Sequence, residues 1–113
     1  MQVTELMKKV DMKALNQIFD KKIVGGLVTD IVGDVMTSGQ AGNIWVTTQT
    51  DKMVVAVANL MGIAAIVITE DRNVDSEVLQ LADNAQITMF STAKTSWGFI
   101  TGLCALGIRI SPY

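Results

Sequence analysis

The chain has 113 residues, half of them apolar, and its nine basic and eleven acidic side chains leave a formal net charge of −2. This length allows one domain with a sizeable core and excludes two, so we expect a single domain over residues 1–113. The basic residues form no stripe along the sequence, which argues against a nucleic-acid partner.

The first forty residues show weak periodicity, because glycine and polar residues interrupt their apolar runs. They still predict several short elements. In chain order these are a helix at 4–9, a strand at 14–19, a glycine turn at 25–26, a strand at 27–32 and a polar loop at 33–42.

The segment from residue 44 to residue 106 alternates regularly between short apolar runs and helical stripes. The predicted elements are strands at 44–47, 63–68 and 87–90, and helices at 51–61, 76–85 and 95–106. Residues 53–58 include β-branched side chains that suit a strand, but Asp51 before them and Gly62 after them favour a helix.

The pattern of these elements predicts the architecture. The apolar run at 63–68 is typical of a strand that is covered on both faces of a sheet. Strands recur at intervals of about 20 residues, as they do in βα units of a parallel sheet. We therefore predict a single α/β domain built from consecutive βα units, with a mostly parallel sheet flanked by helices in two or three layers.

The composition also restricts the chemistry. Histidine is absent and Cys104 is the single cysteine, which we expect to be buried among its apolar neighbours. A zinc site is therefore improbable, and an internal disulfide and a Ser-His-Asp or Cys-His relay within the chain are excluded. Neither the P-loop pattern nor the G-x-G-x-x-G pattern occurs. We predict that the chain is not an enzyme and has no metal or cofactor.

The ends and apolar stretches of the chain bear on its location. The amino terminus is polar from its first residues, unlike a secretory signal. The most apolar stretch, 97–110, is interrupted by Thr101 and Arg109 and is shorter than a membrane span. We expect a cytoplasmic protein that does not contact a membrane.

Hydroxyl groups are concentrated where three predicted strands end. In a parallel sheet these ends meet at one edge, where ligands usually bind, and hydroxyls with a cation and a free helix amino terminus can hold a phosphate or carboxylate. The alternative is that they only cap helices and line solvated loops. The candidate ligand-binding residues are Thr47, Thr69, Thr92, Lys94 and Ser96.

Asp30 and Asp34 flank Gly33 at the end of another predicted strand. As a pair they could bind Mg²⁺ or small ligands, or serve as acid and base. Aspartates at such a junction more commonly bind backbone amides of the next turn. We favour this structural role and regard a metal-dependent activity as improbable.

The last predicted helix is apolar on most sides, so most of its surface must be covered. One alternative is that its small residues pack on the sheet while the opposite ridge meets a neighbouring helix. The other, which we favour, is that the helix forms a homodimer seam. The candidate interface residues are Trp97, Gly98, Phe99, Thr101, Gly102 and Ala105.

Several segments together resemble the DRTGG domain family. They are residues 26–36, 42–47, 54–58, 65–69 and 106–108, and the similarity extends over about residues 5–110. The resemblance implies a regulatory domain, found as an insert between CBS domains of some inorganic pyrophosphatases and in some phosphotransacetylases. The family is also similar to the amino-terminal domain of HPr kinase/phosphorylase, whose kinase chemistry lies in a separate P-loop domain.

The sequence departs from the family pattern at two motifs. The family's Thr-Gly-Gly falls at Thr69, Glu70 and Asp71, so only the threonine is retained. Its Asp-Arg pair, expected between Thr48 and Asp51, is absent. We therefore predict a stand-alone, non-catalytic regulatory or interaction module that is a homodimer, with a protein or a small anion as partner. The alternative is a sensor that binds a small anionic metabolite or nucleotide at the carboxyl ends of the strands.

Overall fold

The computed structural model describes residues 1–111, which form five helices and six strands. The helices are α1 (Val3–Leu6), α2 (Val32–Ser38), α3 (Lys52–Met61), α4 (Ser76–Asn84) and α5 (Ser96–Ala105). The strands are β1 (Lys13–Ala14), β2 (Gly26–Val28), β3 (Ile44–Thr47), β4 (Ala65–Ile68), β5 (Thr88–Ser91) and β6 (Ile110–Ser111).

The six strands form one sheet in the order β1-β5-β4-β3-β2-β6. β1 is antiparallel to β5, and every other neighbouring pair is parallel. In the centre, Val67 pairs with Val46 on one side and with Phe90 on the other. The predicted α/β class and the mostly parallel sheet of βα units are confirmed.

Both faces of the sheet are buried. Successive side chains of each strand point to opposite sides, and on each side they meet a separate apolar cluster. On β3, Trp45 faces a cluster that contains core residues of α2, α3 and α4. Its neighbours Ile44 and Val46 face a second cluster, with Phe99 of α5 and apolar residues of α1. The domain thus has three layers, the larger of the two predicted numbers.

The local signals of the central helices act as predicted. The Asp51 carboxylate accepts a hydrogen bond from the backbone N–H of Met53 (3.1 Å) at the start of α3. Gly62 ends this helix with a φ of 69°, a left-handed conformation that favours glycine. At α5, the Thr95 hydroxyl accepts from the Gly98 N–H at 3.1 Å.

The first forty residues differ from their prediction in three places. The helix expected at 4–9 is only the single turn α1, Val3–Leu6. Residues 32–38 form α2, where a polar loop and the end of a strand are expected; Val35 is fully buried and anchors this helix. The predicted strand at 14–19 is reduced to β1, because the side-chain amide of Asn16 takes over the partners of the neighbouring backbone. Its Oδ1 accepts from the Met89 N–H (2.7 Å), and its Nδ2 donates to the Ile87 carbonyl (2.9 Å).

Among the described helices, none combines the length and the apolar character needed to cross a membrane.

Candidate functional site

The chain changes direction at β5. The helices α2, α3 and α4 connect β2 to β5 in order along one face of the sheet, whereas α5 crosses the other face to reach β6 beside β2. The loops after β4 and β5 therefore leave the carboxyl edge in opposite directions. In open α/β sheets this is the position of the ligand crevice.

Hydrogen bonds bridge this crevice. The backbone N–H groups of Glu70 and Asp71 donate to the carbonyls of Lys94 and Thr92, at 2.9 and 3.0 Å. The hydroxyls of Thr69 and Ser96 lie 2.9 Å apart and share a hydrogen bond. The two loops thus bind each other rather than leaving an open cleft.

The other predicted hydroxyls also have partners inside the chain. Thr47 donates to the carboxylate of Asp30 (2.9 Å), and the Thr92 hydroxyl accepts from the backbone N–H of Lys94 (3.3 Å). The structure therefore brings Thr47, Thr69, Thr92 and Ser96 to one edge, but their hydroxyls bind protein groups. Lys94 lies at the same edge, and its side chain forms no ion pair with the residues described.

Asp30 receives several hydrogen bonds. Desolvation would raise the pKa of its carboxyl group, but the hydrogen bonds from the Thr48 backbone (2.8 Å) and the Thr47 hydroxyl oppose this effect. The Thr48 side chain and the positive charge of Arg72 act in the same direction. The resulting pKa lies below the ordinary value of 3.8, so the site holds Asp30 as a carboxylate.

Asp34 has a different partner. Its Oδ2 accepts from the Thr29 hydroxyl at 2.9 Å, in the first turn of α2. Asp30 and Asp34 therefore bind separate groups. Within the described residues, neither carboxylate accepts a hydrogen bond from a backbone amide of the next turn, which is the role expected from the sequence, because their partners are the Thr29 hydroxyl and groups at the end of β3. Across residues 1–111 there is no cluster of three or more acidic, cysteine or histidine side chains placed to hold a metal ion.

The residues at the family's glycine positions have an unusual backbone. Glu70 and Asp71 both have left-handed φ angles, 66° and 52°. Such angles favour glycine and cost other residues about 1–2 kcal/mol each, with aspartate more tolerant than glutamate. The turn thus keeps a glycine-type conformation although both glycines are missing.

The sequence prediction for this edge omits Thr29 and Arg72, which both contribute to it. Thr29 binds Asp34, and the guanidinium of Arg72 pairs with Glu70 at 3.2 Å. Thr29 directly follows β2, and Arg72 lies in the loop after β4; these positions are the sequence signal that could have identified them.

The outer face of α5 is a second candidate site. Four of its residues are exposed and two glycines between them are half-buried, and we call this set the outer α5 face: Trp97, Gly98, Thr101, Gly102, Cys104 and Ala105. None of them is charged, and Trp97 is 82% exposed. Large exposed apolar side chains on an uncharged surface usually mark an interaction site.

Two expectations for this helix need correction. The ridge of Phe99 and Leu103 packs into the core, so Phe99 is only 2% exposed and does not belong to the outer α5 face. Cys104 is exposed rather than buried. The small residues do not pack on the sheet either, because a Cβ built on Gly102 would meet no atom within 4 Å.

Together, the fold and these two surfaces define a three-layer α/β domain with a closed strand edge and one open helix face. The chain belongs to the DRTGG domain family, whose model matches residues 7–104. This match confirms the family resemblance of the sequence. No curated protein matches the chain.

A solved structure shares the fold. It is the crystal structure of the CBS and DRTGG domains of the regulatory region of Clostridium perfringens pyrophosphatase, in complex with the activator diadenosine tetraphosphate. The TM-score is 0.67 at 16% sequence identity. The similar region covers 88% of this chain and 44% of that one, so this chain spans less than half the length of that structure.

Proposed function

We propose that this chain is a non-catalytic regulatory module that acts as a homodimer through the outer α5 face. The observation that carries the proposal is the absence of charge on this exposed face. Helix surfaces that face water normally carry charged residues, and a twofold dimer needs a patch that complements itself. An uncharged face meets this need without burying an unpaired charge.

Trp97 is the expected anchor of the dimer. Its indole is 82% exposed, whereas the second tryptophan, Trp45, is fully buried and donates its indole N–H to the Thr29 carbonyl (2.9 Å). Tryptophan side chains are enriched among the residues that dominate binding energy at interfaces. Covering Trp97 with a second copy would remove the largest exposed apolar side chain from water.

Gly102 supports the same interpretation. A glycine inside a helix costs about 1 kcal/mol relative to alanine, and within residues 1–111 a Cβ at position 102 would meet no atom within 4 Å. Small residues on a helix allow another backbone to approach closely. A partner helix at the outer α5 face would therefore give Gly102 a packing role that it lacks in the single chain.

The non-catalytic role is supported by the bonding of the strand edge. The two aspartates of the improbable metal-dependent alternative each accept hydrogen bonds from nearby threonines. The regulatory role is supported by family membership and by the related fold, which occurs in a regulatory region complexed with an activator.

A sensor of small anions at the strand ends is the second candidate. It is favoured by the convergence of Thr47, Thr69, Thr92, Lys94 and Ser96 on one edge. Binding there would compete with the hydrogen bond between Thr69 and Ser96, because one of the two hydroxyls already donates its proton to the other. A thermal shift with phosphorylated metabolites that is lost in Lys94→Ala but kept in Lys9→Ala would support this site.

Light scattering at micromolar concentrations tests the dimer. We expect a mass of two chains for the wild type and one chain for Thr101→Glu, which buries a charge in the seam. The matched control is Leu60→Glu: Leu60 is 69% exposed on α3, on the opposite side of the sheet. This control should stay dimeric, and circular dichroism should show that both variants fold. A monomeric wild type, or a dimer that Thr101→Glu leaves intact, would refute the α5 seam.

A further inference from the structure

A groove runs along one flank of α5, next to the turn that follows α1. Its volume is about 300 Å³, and it is lined by residues from three parts of the chain. Lys9 and Asp11 come from the turn, Lys94 precedes α5, and Phe99 and Gly102 belong to the helix. The volume is at the lower end of the range for small-molecule pockets, which suits a ligand with a single ring system.

The two lysines give the groove its charge. Lys9 and Lys94 are exposed, come from different elements and form no ion pair within residues 1–111. Asp11 is the one acid that lines the groove. The wall therefore has an excess of one positive charge, and its carboxylate can accept a hydrogen bond from a hydroxyl or amino group.

The base of the groove is apolar and open. Phe99 forms part of it from the core, where it is 2% exposed. Gly102 contributes no side chain, and the position of its missing Cβ is free of other atoms within 4 Å. A flat apolar group can therefore lie against the helix backbone, in contact with the Phe99 ring.

We infer that this groove binds a small anion that carries a flat apolar group, with Lys9 and Lys94 on the anion and the flat group over Gly102. An aryl phosphate or a nucleoside monophosphate meets this description, with its phosphate as the anion and its ring as the flat group. This site shares Gly102 with the proposed dimer seam, so a ligand in the groove and a partner helix over Gly102 exclude each other. It also differs from the strand-end crevice. It uses lysine side chains without ion-pair partners, whereas the crevice hydroxyls already bind each other.

Isothermal titration of the full chain with phenyl phosphate and with adenosine monophosphate tests the inference. Inorganic phosphate and adenosine, which are the two halves of adenosine monophosphate, are titrated separately as controls. We expect the complete probes to bind at least about tenfold more tightly than either half, because only they reach both the lysines and the base. Lys9→Ala and Lys94→Ala should each weaken binding about tenfold, the loss of one charge-assisted contact.

Two matched controls separate the groove from general effects. Lys8→Ala removes the neighbouring lysine, which does not line the groove, and should leave binding unchanged. Gly102→Leu should fill the groove and abolish binding, whereas Thr101→Leu places a leucine on the same helix outside the groove and should leave binding unchanged. Circular dichroism checks the folding of both leucine variants.

The outcomes distinguish this inference from the dimer. Binding of either probe with the expected dependence on Lys9 and Lys94 supports it, and Asp11→Asn then shows whether the nucleoside part is recognised. Absence of binding at millimolar concentration, or equal binding by both lysine variants and the wild type, overturns it. The same titrations on Thr101→Glu, which breaks the proposed seam, test the groove without a partner helix over Gly102, and light scattering reports the oligomeric state of each sample. A monomer that binds therefore refutes only the dimer, and a Thr101→Glu monomer that does not bind refutes only the groove.

Discussion

The hydroxyls of Thr69 and Ser96 lie 2.9 Å apart, and their hydrogen bond ties the end of β4 to the first turn of α5. Thr69 is fully buried, whereas Ser96 is half-buried. The bond joins the end of β4, after which the chain passes to α4 on one face of the sheet, to α5, which lies on the other face. It is therefore one of the contacts that fix the position of α5, and with it both surfaces proposed for that helix.

We expect Ser96→Ala to lower the free energy of unfolding by about 1–2 kcal/mol, because it leaves the buried Thr69 hydroxyl with only a long 3.5 Å contact to the Thr47 carbonyl. Thr69→Val should cost less, since the remaining Ser96 hydroxyl can bind water. Urea denaturation of both variants and of the double variant measures the coupling. Ser76→Ala is the control, because Ser76 also begins a helix but is exposed. Equal effects of all three single changes would contradict the assigned role of the bond.

The left-handed turn after β4 gives a second prediction. Glu70→Gly should be more stable than Glu70→Ala by about 1 kcal/mol, because alanine keeps the cost of the positive φ angle and glycine removes it. Both variants lose the exposed ion pair with Arg72, so their difference does not include it. Thermal and urea unfolding measure the two stabilities.

Glu77 in α4 supplies the control for this comparison. In a helix the order reverses, and Glu77→Gly should be less stable than Glu77→Ala by about 1 kcal/mol. If the alanine variant were the more stable one at both positions, the turn would not be strained at Glu70.

The regular half of the fold follows from local signals in the sequence. Asp51 caps α3 and Gly62 ends it, and each acts on its own helix without help from distant residues. The buried strands β3 and β4 are recognisable because both of their faces are covered, so their apolar runs are continuous. These elements could therefore be predicted without knowledge of their neighbours.

The remainder depends on contacts that are distant in sequence. The strand expected at 14–19 fails after Ala14, because Asn16 binds Ile87 and Met89, about 70 positions away. At the site, the sequence predicts that hydroxyls meet at one edge but not that Thr69 and Ser96 bind each other. No local pattern links two residues that are 27 positions apart. The helix α2 did have a signal, in the helical spacing of Val32, Val35 and Met36, but Gly33 weakens it.

The hydrogen bonds of Asp30 predict a specific dependence of stability on pH. Its folded-state pKa is below 3.8, so the carboxylate stabilises the fold fully above the unfolded-state pKa, and this stability is lost as the pH falls through the folded-state value. Asp30→Asn should therefore cost about 1 kcal/mol at neutral pH, an amount limited by the exposure of the group to solvent. At a pH well below 3.8 the difference from the wild type should shrink, because the wild-type carboxyl becomes protonated as the pH falls through its folded-state pKa. Urea unfolding at both pH values measures this, and a difference that persists at low pH would show that Asp30 acts through its shape rather than its charge.

Gly102 allows the stability of the single chain to be separated from its assembly. In the monomer, Gly102→Ala should raise the free energy of unfolding by about 1 kcal/mol, since alanine favours the helix and its methyl group meets no atom within 4 Å. In the proposed dimer the same methyl group would lie in the seam, so the dissociation constant should rise. Gly62→Ala is the control: its φ of 69° and a 3.3 Å approach to the Ala41 Cβ predict a loss of stability. Urea unfolding at submicromolar concentration gives the first quantity and sedimentation equilibrium the second. A stabilised monomer with an unchanged dissociation constant would place the dimer contact away from Gly102, and a destabilised monomer would mean that Gly102 has a packing role within the chain.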